Sequence, residues 1–193
     1  MKLYDISKGV FEAGIFPGDP KPVEEQVRSI ANGDDYNLSA LYSGMHAGTH
    51  VDAPLHFFED ADSVDRLNPA VFLGRCQVVG AEGLLTGEDI EQMLQKGIRR
   101  LLIRGEGTAF LSQSAAFVLC DEGVVLVGTD AQSIADETGL LSVHKQLLGD
   151  GVAILENLRL TGVPDGQYFL FAPPVKVEGV EAAPCRAVLI EGL

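Results

Sequence analysis

Positive charge is scarce in this sequence. Lysine and arginine together number 14 against 28 aspartates and glutamates, giving a formal net charge of -14 over 193 residues. Nucleic acids and anionic membrane surfaces both call for a positive face, so neither is an expected partner. A small anion stays admissible, because a bound metal ion can invert the local field. Long apolar runs are missing too. No stretch approaches the roughly eighteen unbroken apolar residues of a membrane helix, and the opening MKLYDISKGVFEAG lacks the apolar run of a signal peptide. Cysteines are few, odd in number and far apart: Cys76, Cys120 and Cys185 form no CxxC pair and no zinc-ribbon spacing. Reduced thiols in the cytoplasm are the expectation.

Familiar catalytic signatures are absent as well. Ser112, Ser114 and Ser133 stand in no GxSxG elbow, and Cys120 has no histidine near it in sequence. The glycines of GEG (105–107) and GTD (128–130) lack the spacing and the lysine of a phosphate loop, so they read as turns. What remains is an ordinary globular composition, 46% hydrophobic and 22% charged, which suits a single domain over residues 1–193.

Glycine and proline divide the chain into short elements. KLYDIS, residues 38–43 and RCQVVGA read as strands, FPGDP (16–20) as a tight turn, and DSVDRLNPAVF as a loop with a helical turn. Thr86 and Asp89 announce a helix over 86–97 that Gly97 would stop. RRLLIRG follows as a buried strand. Ser112 caps a second helix over 112–121, and VVLVG (124–128) is the next strand. A shorter helix over 142–148, begun by His144, precedes VAILE (152–156); YFLFAPPVKV and CRAVLIEG supply late strands. Helices alternating with apolar strands define an α/β core, with antiparallel additions at the ends.

Histidine is rare but clustered. Three of the four stand in HAGTHVDAPLHF (46–57). Gly48, Thr49, Val51 and Pro54 weaken a helix there, so His46 and His50 are not a zincin pair. Read with period two, His46, His50, Asp52 and His56 share a face, although Pro54 interrupts a regular strand. Four extended residues span roughly 13 Å, so two imidazoles reach one ion only if the chain bends. Gly48 allows that bend and Thr49 can tie it. Two imidazoles and a carboxylate match a catalytic metal site with a position open for water; surface or core histidines are the plain alternative. Val152, Ile154 and Glu156 share a strand face, and spacing alone leaves Glu156 either facing water or standing at a site. The same two readings hold for Asp130 at the end of VVLVGTD.

HAGTHVDAPLHF resembles the HxGTHxDxPxH signature of the metal-dependent cyclase family, which includes bacterial kynurenine formamidases. FPGDP resembles that family's WPGDxP segment, GTDAQS its GxDxxS element, HKQLLGDGVAILENL its HxxLL…GxxxxEnL segment, and APCRAVL its sPxRAxL ending. Two positions depart from the pattern: Phe16 stands for a tryptophan that flanks the substrate ring, and GTDAQS lacks a proline before its serine. The resemblance implies a swivelling β/β/α fold with a mixed central sheet and short flanking helices, and a homodimer or homotetramer. It implies two divalent ions, zinc or in relatives manganese. His46 and His50 would hold one and His144 the other, with Asp52 and Glu156 shared between them. His56 would be the acid/base group, and Phe16 would stack on an aromatic substrate. The implied reaction is hydrolysis of N-formylkynurenine or a related arylformamide. Hydrolysis of a lactone or cyclic amide, or metal and ligand binding without turnover, are the competing expectations.

Overall fold

The computed structural model describes residues 1–192; Leu193, the last residue of the expected domain, lies outside the described residues. In chain order the elements are β1 (Lys2–Asp5), β2 (Val23–Arg28), β3 (Leu38–Tyr42), β4 (His50–Asp52), β5 (Leu73–Gly80) and β6 (Gly83–Leu85). Then come α1 (Gly87–Met93), β7 (Arg100–Arg104), β8 (Ala109–Leu111), α2 (Gln113–Asp121) and β9 (Leu126–Thr129). The chain closes with α3 (Leu140–Gly149), β10 (Ala153–Glu156), β11 (Gly166–Phe171), β12 (Ala182–Pro184) and β13 (Val188–Glu191). Nine strands form one curled, mixed sheet in the order β1-β13-β11-β5-β7-β9-β10-β4-β12, flanked by the three short helices, which is the cyclase-like fold. β5, β7, β9 and β10 run parallel, and antiparallel strands extend them on both sides.

The unbroken apolar run of β7 is explained by burial on both faces. Leu101 and Ile103 pack with Leu119 and Leu147 beneath the helices, while Leu102 joins Leu126, Leu155 and Leu170 on the opposite face. Each such side chain contributes about 1.5–3 kcal/mol relative to exposure.

Both anticipated caps are present. Thr86 and Asp89 form a reciprocal capping box, and Ser112 Oγ accepts from the Ala115 amide. α1 nevertheless ends at Met93, short of Gly97. Gln77, buried on β5, supplies the reason: its amide donates to the Met93 carbonyl at 2.8 Å and accepts from the Gln95 amide at 3.0 Å, so a side chain replaces the next helical turn. α3 begins at Leu140, two residues before the expected 142–148 span, and His144 lies within it rather than at its start. Residues 38–42 are a strand as expected but pair only with β2, outside the main sheet.

Candidate metal centre

The segment 46–57 is a turn, a three-residue strand and a single 3-10 turn. β4 stops at Asp52, ahead of Pro54, so the period of two holds for His50 and Asp52 while His46 and His56 flank the strand. Gly48 makes the bend with φ +73°, and a Cβ there would meet the Lys8 carbonyl oxygen at 3.0 Å. Thr49 locks it: its hydroxyl accepts from the Lys8 amide at 2.8 Å and donates to the Asn157 carbonyl at 2.6 Å.

Strand pairing brings in the distant partner. β4 lies between β10 and β12, and His50 stands opposite Glu156 in the register. His50, Asp52 and Glu156 consequently point from one face, toward α3. There His144 shares a buried stripe with Val143, Leu147 and Leu148. His46, His50 and Asp52 form one group able to hold a cation, and Asp52, His144 and Glu156 a second, with the donor atoms of each group within 4.8 Å of one another. Asp52 belongs to both.

The orientation of the rings is set from behind. His50 Nδ1 lies 3.0 Å from the Gly48 carbonyl and His144 Nδ1 2.7 Å from the Leu140 carbonyl, so each directs Nε2 inward. The Ile134 amide donates to Glu156 Oε1 at 2.7 Å. His46 presents Nδ1 to Asp52 Oδ1 at 3.1 Å, while its Nε2 is 3.5 Å from Glu181. Glu181, which no spacing in the sequence singles out, arrives only because β12 pairs with β4.

These groups converge without satisfying one another. His50 Nε2 is 3.4 Å from both Asp52 Oδ1 and Glu156 Oε2, yet His50 Nε2 and both Asp52 oxygens are buried and make no hydrogen bond. An unsatisfied buried polar group costs about 1–3 kcal/mol, more when charged, and a cation among them would remove that cost. The donor set, imidazole nitrogens and carboxylate oxygens around shared space, fits a divalent metal ion. In the protein alone, burial opposes the charged form of His50, but Asp52 and Glu156 raise its pKa to about 10. Burial also works against the Asp52 carboxylate, yet His46 and His50 hold it well below the usual range. His56 differs: burial lowers its pKa against the weaker pull of Asp52. Its ring lies 4.5 Å from that of His46 and 6.3 Å from that of His144, measured between centroids.

A cavity of about 320 Å³ opens over the cluster, lined by the four histidines, Glu156, Phe57 and Leu140, and by Phe16 at 38% exposure. Seven residues named from the sequence thus gather here, Asp52 lying directly beneath. Asp130 is put to another use: its carboxylate accepts the backbone amides of Gly105, Glu106 and Gly107 and fastens that turn. Burial pushes the Cys76 and Cys185 thiols up to about 12 and Cys120 up to about 11, which disfavours the thiolate a nucleophile needs. Among the described residues, no helix is long and apolar enough to cross a membrane.

A buried cradle of imidazoles and carboxylates, open to a cavity on one side, defines a metal-dependent hydrolytic enzyme. The chain belongs to the cyclase family: residues 4–136 match the family model described as "Putative cyclase". It is 36% identical over 202 residues to the kynurenine formamidase of Delftia acidovorans (strain DSM 14801 / SPH-1), covering 97% of each chain. Among solved structures it is similar to a potential metal-dependent hydrolase with cyclase activity, at 30% identity and a TM-score of 0.79, with 97% and 96% of the two chains covered. Isatin hydrolase A from Labrenzia aggregata shares the fold at a TM-score of 0.85 and 18% identity, with 99% and 94% covered.

Proposed function

We propose that the chain works as one cyclase-like domain that hydrolyses the formamide bond of N-formylkynurenine or a related arylformamide. The observation that carries this reading is Asp52, buried, unpartnered and common to two cation-binding groups. His46 and His50 would hold one divalent ion and His144 the other, with Asp52 and Glu156 shared. Two ions bound there would polarise the substrate carbonyl and make a coordinated water acidic enough to attack near neutral pH. Zinc suits the mixed nitrogen and oxygen donors, and manganese is the alternative.

The remaining work falls to the chain's own groups. His56, in the cavity wall beside His46, takes the proton of the attacking water and passes it to the departing aniline nitrogen, which leaves as a neutral amine. Phe16 and Phe57 flank the opening and pack on the substrate ring. Asp52 and Glu156 would offset the positive charge of the ions they help to hold. The similarity to a kynurenine formamidase over nearly the whole chain supports the substrate class. The acidic net charge supports a small molecule rather than nucleic acid as partner, and three unpaired thiols support the reducing cytoplasm. The exposed apolar residues of the β2–β3 hairpin support assembly into a homodimer or homotetramer.

A second reading, hydrolysis of a cyclic amide or lactone, is favoured by Phe16 standing where the formamidase pattern has tryptophan and by the shared fold of isatin hydrolase A. Purified protein loaded with zinc or manganese is assayed for formate release from N-formylkynurenine, with and without chelator. Chelator-sensitive release is expected. Turnover of isatin or an aryl lactone without formate release would shift the assignment to the second reading.

A further inference from the structure

Asn157 and Ser133, both buried, line the cavity over the cluster, and their side chains form no hydrogen bond among the described residues. Asn157 directly follows Glu156 and is 4% exposed. Its backbone is fully engaged, the amide donating to the Ala131 carbonyl at 3.0 Å and the carbonyl accepting from Thr49 Oγ1. Its φ of 57° is left-handed, a conformation open to asparagine and glycine but strained for most residues. Backbone demands therefore explain why the residue is asparagine or glycine. They do not explain why a carboxamide, engaged in no hydrogen bond among the described residues, lines the cavity with His50, His144 and Glu156.

Ser133 repeats the pattern. It is 8% exposed, its hydroxyl makes no hydrogen bond among the described residues, and it lines the same wall. The backbone keeps the two residues close. Ala131 accepts from Asn157, and Ile134 donates to Glu156, so Ser133 sits between two ties to the 156–157 corner. A carboxamide and a hydroxyl offer neutral donors and acceptors. Among the described residues no lysine or arginine lines the cavity, while Asp19 does, so a substrate carboxylate would find no side-chain cation there other than histidine.

We propose that Asn157 and Ser133 are substrate-binding residues that hydrogen-bond the uncharged, carbonyl-bearing aryl head of an aromatic amide, any ionised tail staying toward solvent. This rests on the reading that the cavity is the active site of an aromatic amide hydrolase. Asn157→Gly keeps the backbone conformation and removes the amide. Asn157→Asp keeps the shape and replaces a donor with a charged acceptor. Ser133→Ala removes the hydroxyl.

For each variant, Tm, zinc stoichiometry, KM and kcat with N-formylkynurenine, and kynurenine binding to the zinc-loaded protein by calorimetry are compared with wild type. Unchanged Tm and zinc content are expected, with KM and the kynurenine Kd raised roughly 10-fold in Asn157→Gly and Ser133→Ala. A larger loss is expected in Asn157→Asp. Wild-type KM and Kd in Asn157→Gly and Ser133→Ala would overturn the proposal, as would loss of zinc in Asn157→Gly, which would make Asn157 a support for Glu156 alone. If wild type binds kynurenine without turning over the formamide, the hydrolytic reading fails while the binding comparison still decides the role of Asn157. If wild type hydrolyses N-formylkynurenine without measurable kynurenine binding, the KM comparison alone decides, and unchanged KM in Asn157→Gly and Ser133→Ala overturns the proposal.

Discussion

Two strand pairs in this protein are built on opposite terms. β4 and β10 are buried along their whole length, with charged and imidazole groups at 1–4% exposure. β2 and β3 pair only with each other, and every residue of both is exposed, including Val23, Val27, Leu38, Leu41 and Tyr42. The first pair buries His50, Asp52 and Glu156 among its apolar residues, and the second leaves its apolar residues exposed among polar ones; both run against the usual sorting. Each inversion marks something the isolated chain leaves open. The buried carboxylates call for cations, and the exposed apolar hairpin is the face on which the proposed self-association is tested.

The sharpest way to break this contrast is to remove a shared ligand. Glu156→Gln preserves shape and deletes the charge; we expect metal content to fall and activity to drop by at least about 10³-fold, as measured by metal analysis and turnover on the same sample. Next in size is His56→Ala, where metal should remain and turnover should fall by about 10²–10⁴-fold. Loss of metal in that variant would make His56 a ligand instead. Gly48→Ala tests the bend: with φ +73° and the Lys8 carbonyl at 3.0 Å, we expect a loss of about 1–3 kcal/mol in thermal or denaturant unfolding. Hairpin substitutions should be the mildest. Leu41→Ser together with Tyr42→Ser should change the stability of the folded chain by only about 0.5 kcal/mol per site, while light scattering shows a smaller assembly. An unchanged mass would separate the hairpin from self-association.

The same contrast explains what could be read from sequence. The 46–57 segment was legible because its donors are close along the chain and Gly48 and Pro54 rule out a helix. His144 and Glu156 lie some ninety residues or more from it, and only the family pattern linked them to the cluster before the β4–β10 register did. Glu181 was invisible because strand pairing places it, and Asn157, although inside the ENL of the quoted family segment, drew no role because a left-handed corner rather than local spacing turns it to the cavity. β2 escaped notice because a strand exposed on both faces carries no burial pattern. α1 ended early because of Gln77, nine residues before its cap, and Asp130 proved to fasten a turn that its position at a strand end does not reveal. Local chemistry could be read directly; contacts made across the sheet could not.

The central claim is that Asp52 joins two cation sites in one buried cluster. Crystals of the zinc- or manganese-loaded protein, measured at the absorption edge of the metal, test it directly. Two anomalous peaks per chain are predicted, one beside His46 and His50 and the other beside His144, with a carboxylate oxygen of Asp52 coordinating at each. A single peak, or a pair in which Asp52 touches neither, would contradict the account.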